Sequence, residues 1–115
     1  MKKKLIIASV VFFLMFGSLV FAHPPDNIIF NYDGKNKILS VGVAHTVKNS
    51  QKHFIKEITI KVNGKDWISQ DFVSQATLDV QAASYAQVDL KKGDVIEVSA
   101  VCNQGGELKK TFKVK

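Results

Sequence analysis

The chain has 115 residues, a formal net charge of +6, 16 lysines and no arginine. The lysines are spread along the chain, and arginine, the usual phosphate-binding residue, is absent, so the composition argues against a nucleic-acid partner. Cys102 is the only cysteine of the chain, which excludes an intrachain disulfide.

Residues 1–22 have the features of a secretory signal peptide. The basic start MKKK precedes the apolar run LIIASVVFFLMF and a small-residue cleavage site that ends at Ala22. Cleavage there would leave one domain, residues 23–115, and would remove three lysines, lowering the formal charge from +6 to +3. We therefore predict export to the periplasm or the extracellular space, with no membrane span after cleavage. An uncleaved leader could act as an anchor.

Alternation of apolar and polar residues with a period of two predicts an all-β domain. Turn signals with Gly, Asn or Asp lie at 33–37, 62–65, 91–94 and 103–107. The segment 74–84 fits either a short extra strand or a crossover. The pattern predicts an immunoglobulin-like antiparallel β-sandwich of seven strands, at about 27–33, 37–47, 53–63, 65–73, 84–90, 94–102 and 107–114.

The histidines and the cysteine lie at strand ends that this fold would bring together. If the strands reverse direction in simple up-and-down order, the start of the first, the end of the second, the start of the third and the end of the sixth share one end of the sandwich. These positions hold His23, His45, His53 and Cys102. His45 and Cys102 also fall on the same alternating positions as the apolar residues of their strands, which predicts that both side chains point inward.

Three imidazoles and a thiolate form a donor set that suits iron, copper or zinc, whereas calcium and magnesium prefer oxygen. Cleavage after Ala22 would add the α-amine of His23 as a further donor. Taken singly, each residue has an ordinary interpretation: a surface histidine, a small buried cysteine or a disordered terminus. The metal hypothesis therefore depends on all four residues meeting.

Two segments and an early histidine resemble the superoxide reductase family, the desulfoferrodoxin and neelaredoxin group. HTVKNSQKHFIKEI (45–58) resembles its His, short loop, His-aromatic-Ile segment, and VCNQGG (101–106) resembles its Cys-Asn-x-His-Gly turn. His23 stands roughly where an early ligand would. The resemblance implies a ferrous site with four equatorial imidazoles and an axial thiolate, which reduces superoxide to hydrogen peroxide with electrons from a donor protein.

The resemblance carries over four metal ligands, His23, His45, His53 and Cys102. Gly105 stands where the family has its fourth imidazole, the loop from 46 to 52 is longer than usual, and no Glu-Lys pair precedes the first histidine. Lys48 and Lys52 are candidates for the positive charge that would steer superoxide.

Three alternatives remain open from the sequence. A blue-copper carrier would need a His or Met soon after Cys102, and residues 103–115 contain neither. Structural zinc suits the same donors. A degenerate, metal-free member of the family could instead serve as an interaction module, because fold does not fix function.

Overall fold

The computed structural model describes residues 23–115, and the predicted signal peptide lies outside the described residues. This part of the chain forms strands and no helix, so it has no helix that could cross a membrane. The seven strands are β1 (Asn27–Asp33), β2 (Ile38–Ala44), β3 (Ile55–Val62), β4 (Lys65–Asp71), β5 (Val80–Tyr85), β6 (Val95–Cys102) and β7 (Glu107–Lys113).

Two antiparallel sheets form the sandwich, a three-stranded sheet β1-β2-β5 and a four-stranded sheet β4-β3-β6-β7. The predicted immunoglobulin-like β-sandwich is confirmed. The assumed up-and-down order is wrong, because β2 pairs with β5 and β3 pairs with β6. All pairings are antiparallel, however, so the start of β1 still lies beside the end of β2, and the start of β3 beside the end of β6.

The core lies between the two sheets and follows from the pleat of the strands, which sends alternate side chains to opposite faces. Successive residues of β2 alternate between buried and partly buried, and in β3 the buried Ile58 and Ile60 alternate with partly buried polar residues. Burying one such side chain contributes about 1.5–3 kcal/mol relative to leaving it exposed. Fully buried core residues include Ile28, Leu39, Val43, Ile55, Ile58, Ile60, Ile96 and Val98.

The fifth strand lies earlier in the chain than predicted. The prediction placed it at 84–90, but β5 spans Val80–Tyr85 and falls largely within the segment left undecided between strand and crossover. Val88 and Leu90 produced the misleading alternation. Both pack against the core from an irregular segment, in which the hydroxyl of Tyr32 donates to the Val88 carbonyl (2.6 Å) and accepts from the Leu90 N–H (3.0 Å). The Val88 N–H donates to the Lys37 carbonyl (2.9 Å).

Candidate metal centre

The four predicted ligands lie at one end of the sandwich. His45 directly follows β2, Cys102 is the last residue of β6, and His53 lies two residues before β3. His23 belongs to the arm that leads into β1, whose first residue is paired with the last residue of β2. Antiparallel pairing of strands that are distant in sequence therefore brings these positions together.

The three imidazoles form a close group. One ligand nitrogen from each of His23, His45 and His53 can be chosen so that all lie within 4.8 Å of one another. The ring centroids are 4.8 to 5.0 Å apart. Cys102 joins through His53, whose Nε2 is 3.1 Å from Sγ. Because ligand atoms about 2.0–2.3 Å from one ion lie roughly 3–4 Å apart, a small contraction would let the three imidazoles hold a metal ion. Sγ of Cys102 lies outside this group of three and adjoins it at His53. The four residues His23, His45, His53 and Cys102 are called the His–Cys cluster below.

His45 is the most constrained member of the cluster. The residue is fully buried, and its Nδ1 is 2.8 Å from the side-chain oxygen Oε1 of Gln75. Its other nitrogen, Nε2, is also buried and has no hydrogen-bond partner among the residues that the structure describes. Leaving a buried polar atom unpaired costs about 1–3 kcal/mol, and a metal ion bound to this nitrogen would offset that cost.

His53 is held in the form that binds metals. Burial, and then the proximity of His45 and His23, hold the pKa of His53 below its usual value of 6.5. The imidazole is therefore kept neutral, and neutral imidazole is the form that binds a metal ion.

Acidification should destabilise the metal-free protein through His53. Its pKa is lower in the folded state than in the unfolded state, so the unfolded chain takes up a proton first as the pH falls through 6.5. The contribution of His53 to the free energy of unfolding is therefore fully present above pH 6.5 and is lost as the pH falls through the pKa of His53 in the folded state. Urea unfolding of the metal-free protein between about pH 8 and pH 5 measures this loss, which His53→Gln should reduce. A pH dependence of His53→Gln equal to that of the wild-type protein would contradict this role of His53.

Cys102 is positioned by the turn that follows it. The thiol is buried and accepts a weak hydrogen bond from the N–H of Gln104 at 3.4 Å. The side chain of Asn103 ties this turn to the segment around His53, since it accepts from the Phe54 N–H (2.9 Å) and donates to the Lys52 carbonyl (3.0 Å).

The arm that carries His23 packs against the turn that follows Cys102. Pro25 is buried, and the Asp26 N–H donates to the Ala44 carbonyl at 2.7 Å. Gly106 has φ 96°, and a Cβ built on it would lie 2.9 Å from Cα and 3.0 Å from N of Pro24. A glycine is therefore required at 106, both by the backbone conformation and by the close approach of the arm.

Gly106→Ala should push the arm away from the turn, with a loss of stability of about 1–2 kcal/mol and weaker metal binding because His23 moves. Gly93→Ala is the matched control, because Gly93 has a similar φ of 93° but no atom within 4 Å of the added Cβ. The strain of positive φ is common to both variants, so the comparison isolates the contact with Pro24. Metal titration and urea unfolding of both variants measure the effect, and equal metal affinities would exclude a role of this contact.

In the imidazole of His23, Nδ1 faces the backbone of its own arm. Its Nδ1 is 3.1 Å from the Pro24 carbonyl oxygen, which can only accept, so Nδ1 carries the proton and Nε2 carries the lone pair. An α-amine and an imidazole of one histidine chelate an ion through Nδ1. Chelation that includes the α-amine would therefore require Nδ1 to give up this proton.

Gly105, Lys48 and Lys52 are the remaining positions that the sequence singled out. Gly105 has φ 96°, a conformation that a histidine adopts only with strain, so the backbone as well as the side chain differs from a ligand-bearing turn. The side chains of Lys48 and Lys52 are exposed, and within residues 23–115 no hydrogen bond or ion pair links either ammonium group to the His–Cys cluster. Their assignment to superoxide steering stays a prediction.

Sequence reasoning missed Gln75 and Gly106. Gln75 lies between β4 and β5, in the segment whose structure was left undecided, and it contacts a residue 30 positions earlier. No periodicity or spacing marks such a residue. Gly106 stands in a predicted turn, but only the folded arm shows why it must be glycine.

Comparison of the sequence with models of protein families gives no match, and comparison with curated proteins gives none either. The likeness to superoxide reductases therefore remains the resemblance of the motifs described above. Functional inference depends on the geometry of the His–Cys cluster and its surroundings.

Proposed function

We propose that this protein, after export, binds one iron ion at the His–Cys cluster and reduces superoxide to hydrogen peroxide. The observation that best supports a metal site is the state of Nε2 of His45, which is buried and has no hydrogen-bond partner within residues 23–115. The centroid of the His45 ring lies 4.8 to 4.9 Å from the centroids of two other imidazoles. A surface histidine has both ring nitrogens hydrated, whereas a buried ring nitrogen without a hydrogen-bond partner, close to other imidazoles, is typical of a metal ligand.

The choice of metal follows from the donors and the resemblance. Imidazole and thiolate suit iron, copper and zinc and disfavour calcium and magnesium. Iron is preferred because the motifs around His45, His53 and Cys102 resemble those of superoxide reductases. Copper or zinc would use the same donors, so metal analysis decides among the three.

The cluster has one side open to solvent. His23 is exposed, whereas His45 and Cys102 are buried, so a small anion would approach from the side of the arm. When bound, ferrous iron would supply one electron to superoxide, which with two protons leaves as hydrogen peroxide; an exported electron-donor protein would reduce the resulting ferric iron. The chain itself contributes the thiolate of Cys102, whose negative charge stabilises the oxidised metal.

The proposal is tested on protein that is exported, processed to His23 and purified without oxygen. We expect one iron ion per chain and, with an excess of reductant, one hydrogen peroxide for each superoxide consumed. Dismutation would give half that yield. Protein without any transition metal would contradict the proposed site, and protein loaded with copper or zinc alone would contradict the reductase activity while leaving the site intact.

A further inference from the structure

Gln75 has an environment that sets it apart from the other residues around the cluster. It is 4% exposed, and its amide uses every polar atom that it has. The Nε2 group donates to the carbonyl oxygens of His45 (2.6 Å) and Thr77 (2.9 Å). The oxygen Oε1 faces the Ile55 N–H (3.3 Å) and Nδ1 of His45 (2.8 Å).

These contacts fix the orientation of the amide. Carbonyl oxygens can only accept, so the group that faces them must be the NH₂ of Gln75. A backbone N–H can only donate, so the atom that faces Ile55 must be Oε1. Both ends of the amide therefore give the same assignment, and the orientation does not rest on His45.

We infer that Gln75 is a positioning residue, which fixes the proton of His45 on Nδ1 and directs the lone pair of Nε2 into the His–Cys cluster; this rests on the proposed metal site. Because Oε1 can only accept, Nδ1 of His45 must donate, and the lone pair of the neutral ring is then on Nε2. The same amide also holds the backbone carbonyl of His45, so ring and backbone are both fixed.

The consequence for metal binding is pre-organisation. An outer hydrogen bond of this kind sets the tautomer and orientation of a ligand histidine and raises its basicity, and its loss typically lowers metal affinity about 10- to 100-fold. Without Gln75, His45 would be free to place its proton on Nε2 or to turn the ring away from the cluster.

Gln81 offers a matched control, because it is buried to the same extent and lies in the same region. It is also 4% exposed, and its amide bonds to the backbone of Ala76 (3.0 Å) and Ala82 (2.8 Å) without contacting a histidine. Gln81→Met therefore removes the hydrogen bonds of a buried glutamine near the site but leaves His45 untouched.

The test compares Gln75→Met with Gln81→Met in titrations with Co²⁺ and with Fe²⁺ under anaerobic conditions. We expect a loss of affinity of about 10- to 100-fold for Gln75→Met and little change for Gln81→Met. Equal affinities of the two variants would overturn the inference, because a general loosening of the loop would then explain any effect.

A second measurement does not need the variants to fold. Long-range ¹H–¹⁵N NMR of the metal-free wild-type protein reports which nitrogen of each histidine carries the proton. We expect His45 to carry it on Nδ1, and a proton on Nε2 would overturn the inference. A wild-type protein that binds no metal ion would instead contradict the proposed function, and this measurement would still decide the role of Gln75.

Discussion

Replacing Cys102 with serine should abolish the visible absorption of the metal-loaded protein. Charge transfer from sulfur to the metal requires a thiolate, and Cys102 is the only cysteine of the chain. Its Sγ is 3.1 Å from Nε2 of His53, so it is the sulfur available to an ion held by the imidazoles. A serine hydroxyl stays protonated near neutral pH and is a poor ligand for soft metals. The affinity should therefore fall by more than the roughly 10- to 100-fold loss caused by removing an outer hydrogen bond.

The spectrum is recorded together with the far-ultraviolet circular dichroism and the thermal midpoint of the metal-free protein. Serine is close in size to cysteine and can accept the hydrogen bond that Gln104 donates to Sγ, so the fold should be retained. A visible spectrum that is unchanged in Cys102→Ser would rule out the thiolate as a ligand.

His45→Leu should remove the stabilisation that a bound metal ion gives to the protein. An ion present at about 100 times its dissociation constant stabilises the folded state by about 2.7 kcal/mol. For a domain of this size such a gain raises the thermal midpoint by roughly 10–20 °C. Leucine offers no donor at the most buried position of the His–Cys cluster, so the shift should disappear. Thermal unfolding with and without Fe²⁺ or Co²⁺ measures it.

The same variant should change the stability of the metal-free protein little. Leucine removes one hydrogen bond to Gln75, but it also removes the buried Nε2 atom that has no partner within the described residues. Oε1 of Gln75 keeps the N–H of Ile55 as a donor. The two effects oppose each other, so the free energy of unfolding should stay within about 1 kcal/mol of wild type. A metal-dependent shift equal to that of wild type would show that His45 is not a ligand.

Most of the fold could be predicted from the sequence because alternation and turn chemistry are local signals. The hairpin at Asn63 and Gly64 is one example, since both residues adopt the positive φ angles, 50° and 82°, that this pair accommodates. Strand β5 could not be placed correctly, because its sequence VQAASY has few large apolar residues. Val88 and Leu90 gave the stronger local pattern, although they lie in an irregular segment that is held by the Tyr32 hydroxyl and by the bond from the Val88 N–H to the Lys37 carbonyl.

The approach of the three histidines to one another, with Cys102 beside His53, could be predicted because it needs only strand direction and the alternation of side chains. His45 and Cys102 are both fully buried, as their positions within the alternation indicate. The hydrogen bonds around the cluster could not be predicted, since Gln75 approaches His45 from an irregular loop and Gly106 contacts Pro24 only once the arm is folded. Such contacts depend on three-dimensional packing and leave no period or spacing in the sequence.

The positive φ of Gly105 bears on how the missing fourth imidazole is interpreted. At φ 96° a side chain is strained, so Gly105→His would have to change the turn that also carries Gly106 and seats the arm of His23. A fourth imidazole at position 105 would therefore need a different turn.

X-ray absorption spectroscopy at the metal edge tests the proposed ligand set most directly, on protein processed to His23 and purified without oxygen. We predict imidazole nitrogens at about 2.1 Å and one sulfur at about 2.3 Å from a single ion in each chain. A coordination shell of light atoms without sulfur or imidazole, or a chain that carries no ion at all, would contradict it.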